Sequence, residues 1–153
     1  MRRSSSNSWK ARLLVPDVNV LLNAHFSRQV QNAAALTWWE LRTQGGEAVA
    51  IPNLVFSAFV RIATNGNLSP EAVSPSDAFE FCEHLRRLPV TMALQEGPRH
   101  WEIFRSVVLE SGVSGSDIAD AYLAAFALEN DATFVTFDRG FRRFQDMKLL
   151  VLE

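Results

Sequence analysis

The sequence predicts an α/β fold with a mainly parallel central sheet. Short apolar runs alternate with longer segments of helical periodicity, and no internal repeat or long linker divides the chain. At 153 residues with 48% hydrophobic side chains, the chain is sized for one core rather than for disorder. Residues 1–10 are basic and serine-rich and read as a flexible N-terminal tail, leaving residues 11–153 as a single domain.

The elements follow in order. A first strand covers residues 12–16 and stops at Asp17, and a short helix occupies 20–24. The next helix, 28–43, carries Ala34, Trp38 and Leu41 on one face and ends at Gly45-Gly46. Residues 48–51 form a short strand broken by Pro52, and 53–64 a buried helix with Leu54, Phe56, Phe59, Val60 and Ala63. A loop rich in Asn, Gly, Ser and Pro spans 65–74. Ser74-Pro75-Ser76-Asp77 then reads as a helix start, with a serine cap, a proline in the first turn and an acid after it. That helix runs to Arg87, and a third strand covers 90–93. Pro98 opens a helix with Trp101, Phe104 and Val108 in register, closed by Gly112. A helix at 117–130, a strand at 133–137 ending on Asp138, and a last strand at 148–152 complete the chain.

Composition excludes several classes. The longest apolar run, 121–128, is far short of a bilayer span, so no membrane role is expected. Only Leu13-Leu14-Val15 precedes Pro16, so no signal-peptide core follows the basic tail. The single cysteine, Cys82, excludes an intrachain disulfide and a multi-cysteine metal site, and points to the cytoplasm. His25, His84 and His100 are isolated and lack metal-ligand spacing, and no phosphate-binding glycine motif occurs. Trp38, Trp39 and Trp101 read as core or dimer contacts rather than base-stacking platforms. The net charge of −2 does not advertise nucleic-acid binding, although an acidic metal site would mask basic groups in that sum.

Three acids carry the chemistry. Asp17 and Asp138 each follow a strand at its carboxyl end, where open α/β sheets bind ligands. Asp120 lies in the first turns of the helix before the Asp138 strand, with Asp117 three residues earlier on the same face. Gathered carboxylates repel one another unless a divalent cation neutralises them, and oxygen-only ligands favour Mg²⁺ or Mn²⁺. Each acid also has a structural reading. Asp17 and Asp138 fit helix-cap or turn positions, and Asp117 lies at capping-box spacing from Ser114.

The motifs around these acids resemble those of PIN-domain proteins. Leu14-Val15-Pro16-Asp17-Val18-Asn19-Val20-Leu21-Leu22 resembles their opening strand and helix. Asp120-Ala121-Tyr122-Leu123-Ala124-Ala125-Phe126-Ala127 resembles their third motif, and Thr133-Phe134-Val135-Thr136-Phe137-Asp138-Arg139-Gly140-Phe141 their last. Phe59-Val60-Arg61-Ile62-Ala63-Thr64-Asn65 and Gly97-Pro98-Arg99-His100 further resemble the VapC toxins of bacterial toxin–antitoxin pairs. The resemblance spans residues 13–151.

That resemblance implies a three-layer α/β/α PIN-like domain and an endoribonuclease acting on single-stranded or structured RNA. It implies a small cognate antitoxin and a second copy of the chain as partners. It maps catalytic, metal-binding roles onto Asp17, Asp120 and Asp138, with Asp117 as an auxiliary ligand. Asn19 and Thr136 match supporting polar residues. Arg139, Arg142 and Arg143 follow the last acid closely, and either hold RNA phosphates or form a solvated face. One departure stands out. The family's glutamate in the helix before Arg61 is replaced here, by Phe56 or Ala58 depending on register. The alternative implied by that gap is a PIN-like module that binds RNA or protein without cleaving. Another metal-dependent phosphohydrolase is a third reading.

Overall fold

The computed structural model describes residues 13–153; the expected tail at 1–10 and residue Arg12 lie outside the described residues. Five strands build one sheet: β1 (Leu13–Pro16), β2 (Ala48–Pro52), β3 (Thr91–Leu94), β4 (Thr133–Thr136) and β5 (Lys148–Val151). Every pairing is parallel and the order is β3-β2-β1-β4-β5. All of β1 and most of β2 and β4 are buried, as strands covered on both faces must be. The edge strand β3 leaves Met92 and Ala93 exposed.

Six helices connect the strands: α1 (Val18–His25), α2 (Asn32–Thr43), α3 (Asn53–Ala63), α4 (Pro75–Arg87), α5 (His100–Ser111) and α6 (Ile118–Glu129). The chain moves outward from β1 to β2 to β3, then returns across to β4. Right-handed crossovers therefore put α1–α4 on one face and α5–α6 on the other. This is the three-layer arrangement expected from the sequence. The reversal of direction leaves a crevice at the carboxyl ends of β1 and β4.

Local chemistry sets the element ends. Ser74 Oγ accepts from Asp77 N at 3.1 Å, and Pro75 opens α4, as its sequence indicated. Gly112 closes α5 in the left-handed region at φ 73°. The start of α5 is tied to the end of α6: Glu129 Oε1 accepts from Gly97 N at 2.8 Å and Oε2 from Arg99 N at 2.9 Å. A Cβ on residue 97 would stand 2.4 Å from that carboxylate, so a larger residue would push the Glu129 side chain aside.

Helix α6 is the keystone of its face. Ala121, Leu123, Ala124, Ala125, Phe126 and Ala127 are all buried, so it is apolar on nearly every side. Its alanines let it lie close under β1 and β4, and Phe126 fills the space towards His100, whose ring centroid is 4.4 Å away. Trp38 and Trp39 are buried in the opposite layer with their rings edge-on at 5.0 Å, as the core reading expects. Trp101, in contrast, is 69% exposed.

Several boundaries differ from the sequence reading. Helix α1 starts two residues early because Asp17 supplies its cap. Helix α2 begins at Asn32 rather than Arg28, leaving Val30 in a solvent-facing turn; Asn32 Nδ2 ties the turn back by donating to Asn23 O at 2.7 Å. Strand β3 is shifted by one residue, and β4 stops at Thr136.

The packing role of Phe126 gives a direct stability test. Phe126→Ala should cost about 3–5 kcal/mol, because its fully buried ring leaves a cavity between α6, α5 and the sheet. Urea denaturation should show an earlier midpoint at nearly unchanged slope.

Candidate active site

The crevice at the sheet reversal is where the sequence-predicted acids lie. Asp17 follows β1 directly, and its N–H donates to Val135 O at 2.8 Å, which fixes it against β4. Asp138 stands two residues beyond the end of β4, and Asp120 projects from the first turn of α6. Chain segments separated by more than a hundred positions are thus brought together by strand order.

Asp17 is buried and held by donors. Its Oδ1 accepts from Val18 N at 2.8 Å, which makes it the cap of α1. Its Oδ2 accepts from Thr136 Oγ1 at 2.7 Å and from Asn19 Nδ2 at 3.3 Å. Asn19 Nδ2 also donates to Thr136 Oγ1 at 3.1 Å, and Asn19 Oδ1 accepts from Phe137 N at 3.2 Å. Thr136 Oγ1 accepts from Asp138 N at 3.0 Å. Asn19 and Thr136 therefore lock β1, α1 and the end of β4 around one carboxylate. This geometry explains the Asp-x-Asn and Thr-x-Asp spacings: each polar side chain reaches across to the other motif.

Asp138 Oδ1 accepts from Gly140 N at 2.7 Å and so caps the turn at Arg139–Arg143. Asp120 is half-buried, and its Oδ2 accepts from Arg143 Nη2 at 2.9 Å. Asp117 sits in the single turn before α6, where it occupies the cap position; the side-chain capping bond to Ser114 that the spacing suggested does not form. Arg143 Nη2 stands 3.9 Å from Asp117 Oδ1. The capping roles of Asp17 and Asp138 are thus real, and they aim the remaining lone pairs rather than exclude a second role.

Electrostatics mark the three acids as one group. Burial pushes the Asp17 carboxyl up from 3.8 to about 6; its hydrogen bonds to Thr136 and Val18 oppose the rise, and the charges of Asp120 and Asp138 add to it. Asp120 is also raised, by burial first, against the opposing Arg143 contact and with repulsion from Asp138 and Asp117. A crevice that repels its own charges suits a hard divalent cation, and its donors are all oxygens. Among the described residues no three acidic, histidine or cysteine groups stand close enough together to hold a metal ion as placed, and Arg143 is seated on Asp120. The donor set fits Mg²⁺ or Mn²⁺ in chemistry, with Asp17, Asp120 and Asp138 as the residues that would hold it.

The three arginines separate. Arg139 pairs with Glu153 at 3.3 Å, Arg142 is exposed, and Arg143 bridges towards the acids. The Arg143–Asp120 pair was not legible in sequence, since the partners lie 23 residues apart on unrelated elements. The glutamate gap also takes a definite shape. Phe56 packs under the Arg86 guanidinium, 5.4 Å from its ring centroid, beside Thr91, Met92 and Ala93 of β3. That side faces the sheet edge. Ala58 lies roughly 200° further round α3 and is the position left to point elsewhere.

The remaining singled-out residues are structural. His25 packs edge-on against Phe26, Phe59 and Phe81, and burial lowers its pKa. His100 is buried with Nε2 at 3.1 Å from Tyr122 O. Cys82 is buried between α4 and α3, and burial raises its thiol.

The shift of Asp17 sets a pH dependence. Its folded pKa, about 6, lies above the ordinary 3.8, so the folded protein takes up a proton before the unfolded chain does as pH falls. This group then adds stability as pH drops through the window from about 6 to about 4, and subtracts it above that window. In EDTA at pH 8, Asp17→Asn should therefore stabilise the protein by on the order of 2–3 kcal/mol, with the gain gone near pH 4. Urea denaturation at both pH values measures it.

Comparison with known proteins identifies the family. The family model described as PIN domain matches residues 14–147. Ribonuclease VapC43 of Mycobacterium tuberculosis is 39% identical over 89% of this chain and 92% of its own length. Ribonuclease VapC25 of the same organism is 33% identical over 86% of this chain and 93% of its own. Among solved structures, VapBC2 from Rickettsia felis bound to a promoter DNA fragment superposes with TM-score 0.70 at 12% identity, covering 92% of this chain and 99% of the other. The sarcin-ricin loop cleaving toxin VapC20 of M. tuberculosis gives TM-score 0.60 at 13% identity, covering 88% and 98%. At such identities the structures speak for the fold. The sequence relatives place the chain within it: this protein belongs to the PIN-domain family, among the VapC ribonucleases.

Proposed function

We propose that this chain is a metal-dependent endoribonuclease, the toxin of a VapBC-type toxin–antitoxin pair. The observation that carries this reading is the gathering of Asp17, Asp120 and Asp138 from β1, α6 and the end of β4 into one mutually repelling group. The activity fits the ribonuclease relatives, and Mg²⁺ (or Mn²⁺) is the cofactor that suits the oxygen donors.

When bound, the cation would activate a water molecule and stabilise charge on the phosphate and the leaving oxygen. The chain's own residues prepare for this. Thr136 and Asn19 hold Asp17 in one orientation and keep it from sharing its Oδ2 with solvent alone. The Gly140 N–H holds Asp138. No side-chain nucleophile is required, which accords with the buried, isolated Cys82 and the structural roles of the histidines. Exposed Arg142 is the residue best suited to approaching RNA phosphates, with Arg139 available on leaving its exposed partner Glu153, whereas Arg143 is engaged with acids in the crevice.

The partners follow from the same reading. The substrate is RNA, single-stranded or presented from a structured loop, since selectivity rests on bases that can be splayed out. A cognate antitoxin is supported by the VapBC complexes among the structural neighbours. A homodimer is supported by Trp101 and Leu109, exposed two turns apart on α5. The working place is the cytoplasm, and no described helix is long and apolar enough to cross a membrane.

A non-cleaving binding module is favoured by one observation, the absence of a carboxylate at Phe56 and Ala58. Cleavage assays separate the two readings. Mg²⁺-supported RNA cleavage should be abolished by EDTA and fall at least about a hundredfold in Asp17→Asn and Asp120→Asn. Thr136→Val, which removes only the orienting hydroxyl, should lose about 10- to 100-fold. Undiminished cleavage by the aspartate variants excludes the assignment, and RNA affinity without any cleavage favours the binding module.

A further inference from the structure

Resting on the metal-dependent reading above, we propose that Arg143 is an internal counter-ion that occupies Asp120 in the metal-free protein, and that Asp117 receives it when the cation binds. Metal affinity is then set by the transfer of one guanidinium between two carboxylates. Asp117 acts as the acceptor of Arg143 rather than as an auxiliary ligand.

The geometry places both carboxylates within reach of the guanidinium. Arg143 Nη2 bonds Asp120 Oδ2 at 2.9 Å and is already 3.9 Å from Asp117 Oδ1. Asp117 is more exposed than Asp120, with side-chain exposures of 59% and 32%. The guanidinium is poised rather than locked. It lies 4.5 Å over the Phe144 ring and 5.8 Å from that of Phe141, contacts that survive a small sideways shift. Its Nη1 donates to Gly140 O, while its buried Nε has no hydrogen-bond partner among the described residues. Gly140 makes room: a Cβ there would stand 3.0 Å from Arg143 Nη1 and 2.9 Å from Asp138 Oδ1.

The chemistry sets the two cations in competition. A guanidinium stays charged at any pH the protein meets and offers donors only, so it cannot ligate a metal. A divalent ion drawn to Asp17 and Asp138 meets Arg143 on Oδ2 of the third carboxylate, and the repulsion between the two cations favours moving the arginine aside. A carboxylate one turn away lowers the cost of that displacement, because the arginine exchanges one partner for another instead of losing both. The spacing of Asp117 and Asp120, which suggests a shared ligand face, serves a handover equally well.

Titration calorimetry with Mn²⁺ on the full chain tests this, with thermal melts in EDTA confirming that each variant is folded. Arg143→Ala and the polar, uncharged Arg143→Gln should bind Mn²⁺ about tenfold tighter, the scale of one charge-assisted hydrogen bond removed from competition. Asp117→Asn should weaken binding severalfold in the native background and leave it unchanged in the Arg143→Ala background, a coupling that a double-mutant cycle isolates. An Asp117→Asn loss of equal size in both backgrounds overturns the handover and makes Asp117 a ligand. Mn²⁺ binding unchanged or weakened in both arginine variants overturns the competition while leaving the metal-dependent reading intact. Absence of Mn²⁺ binding in native protein and variants alike overturns both.

Discussion

The structure is organised around a repulsion: three carboxylates are held near one another in a crevice partly shielded from water. Burial raises the carboxyls of Asp17 and Asp120 first, and repulsion from the neighbouring acids adds to it. Each acid is given its own restraint. Asp17 receives the hydroxyl of Thr136 and the amide of Asn19, Asp138 the N–H of Gly140, and Asp120 the guanidinium of Arg143. The strand order β3-β2-β1-β4-β5 is what makes the gathering possible, because β1 and β4 become neighbours only through the long return crossing carried by α5 and α6.

The same economy explains why structural and functional readings of these acids coexist. Asp17 caps α1 with one oxygen, and Asp138 caps its turn likewise. A cap fixes a carboxylate's rotamer, and a fixed rotamer is what a ligand position needs. Evidence for capping therefore does not count against a metal role in this fold. Where the resemblance leads one to expect a glutamate, α3 carries no carboxylate at Phe56 or Ala58. Phe56 instead packs beneath the Arg86 guanidinium at the sheet edge.

Much of this was legible in the sequence. Alternating apolar runs and helical periods gave the strand and helix order, and the breaks at Asp17, Pro52 and Asp138 marked strand ends correctly to within two residues. The family resemblance pointed to Asn19 and Thr136, which bond to one another in the structure. What escaped depends on contacts made across the fold. The start of α2 turns on Asn32 reaching back to Asn23, and the partner of Asp120 on how the turn after β4 swings Arg143 over α6. No local period encodes either. The three arginines looked alike in sequence and differ only because one faces the acids and the others face solvent or Glu153.

Diffraction from crystals soaked in Mn²⁺ tests the central assignment most directly, since the anomalous signal locates the ion without reference to activity. A peak at about 2.1 Å from carboxylate oxygens of Asp17, Asp120 and Asp138 is the expected result. A peak elsewhere in the molecule, or none at a concentration that supports RNA cleavage, would contradict it.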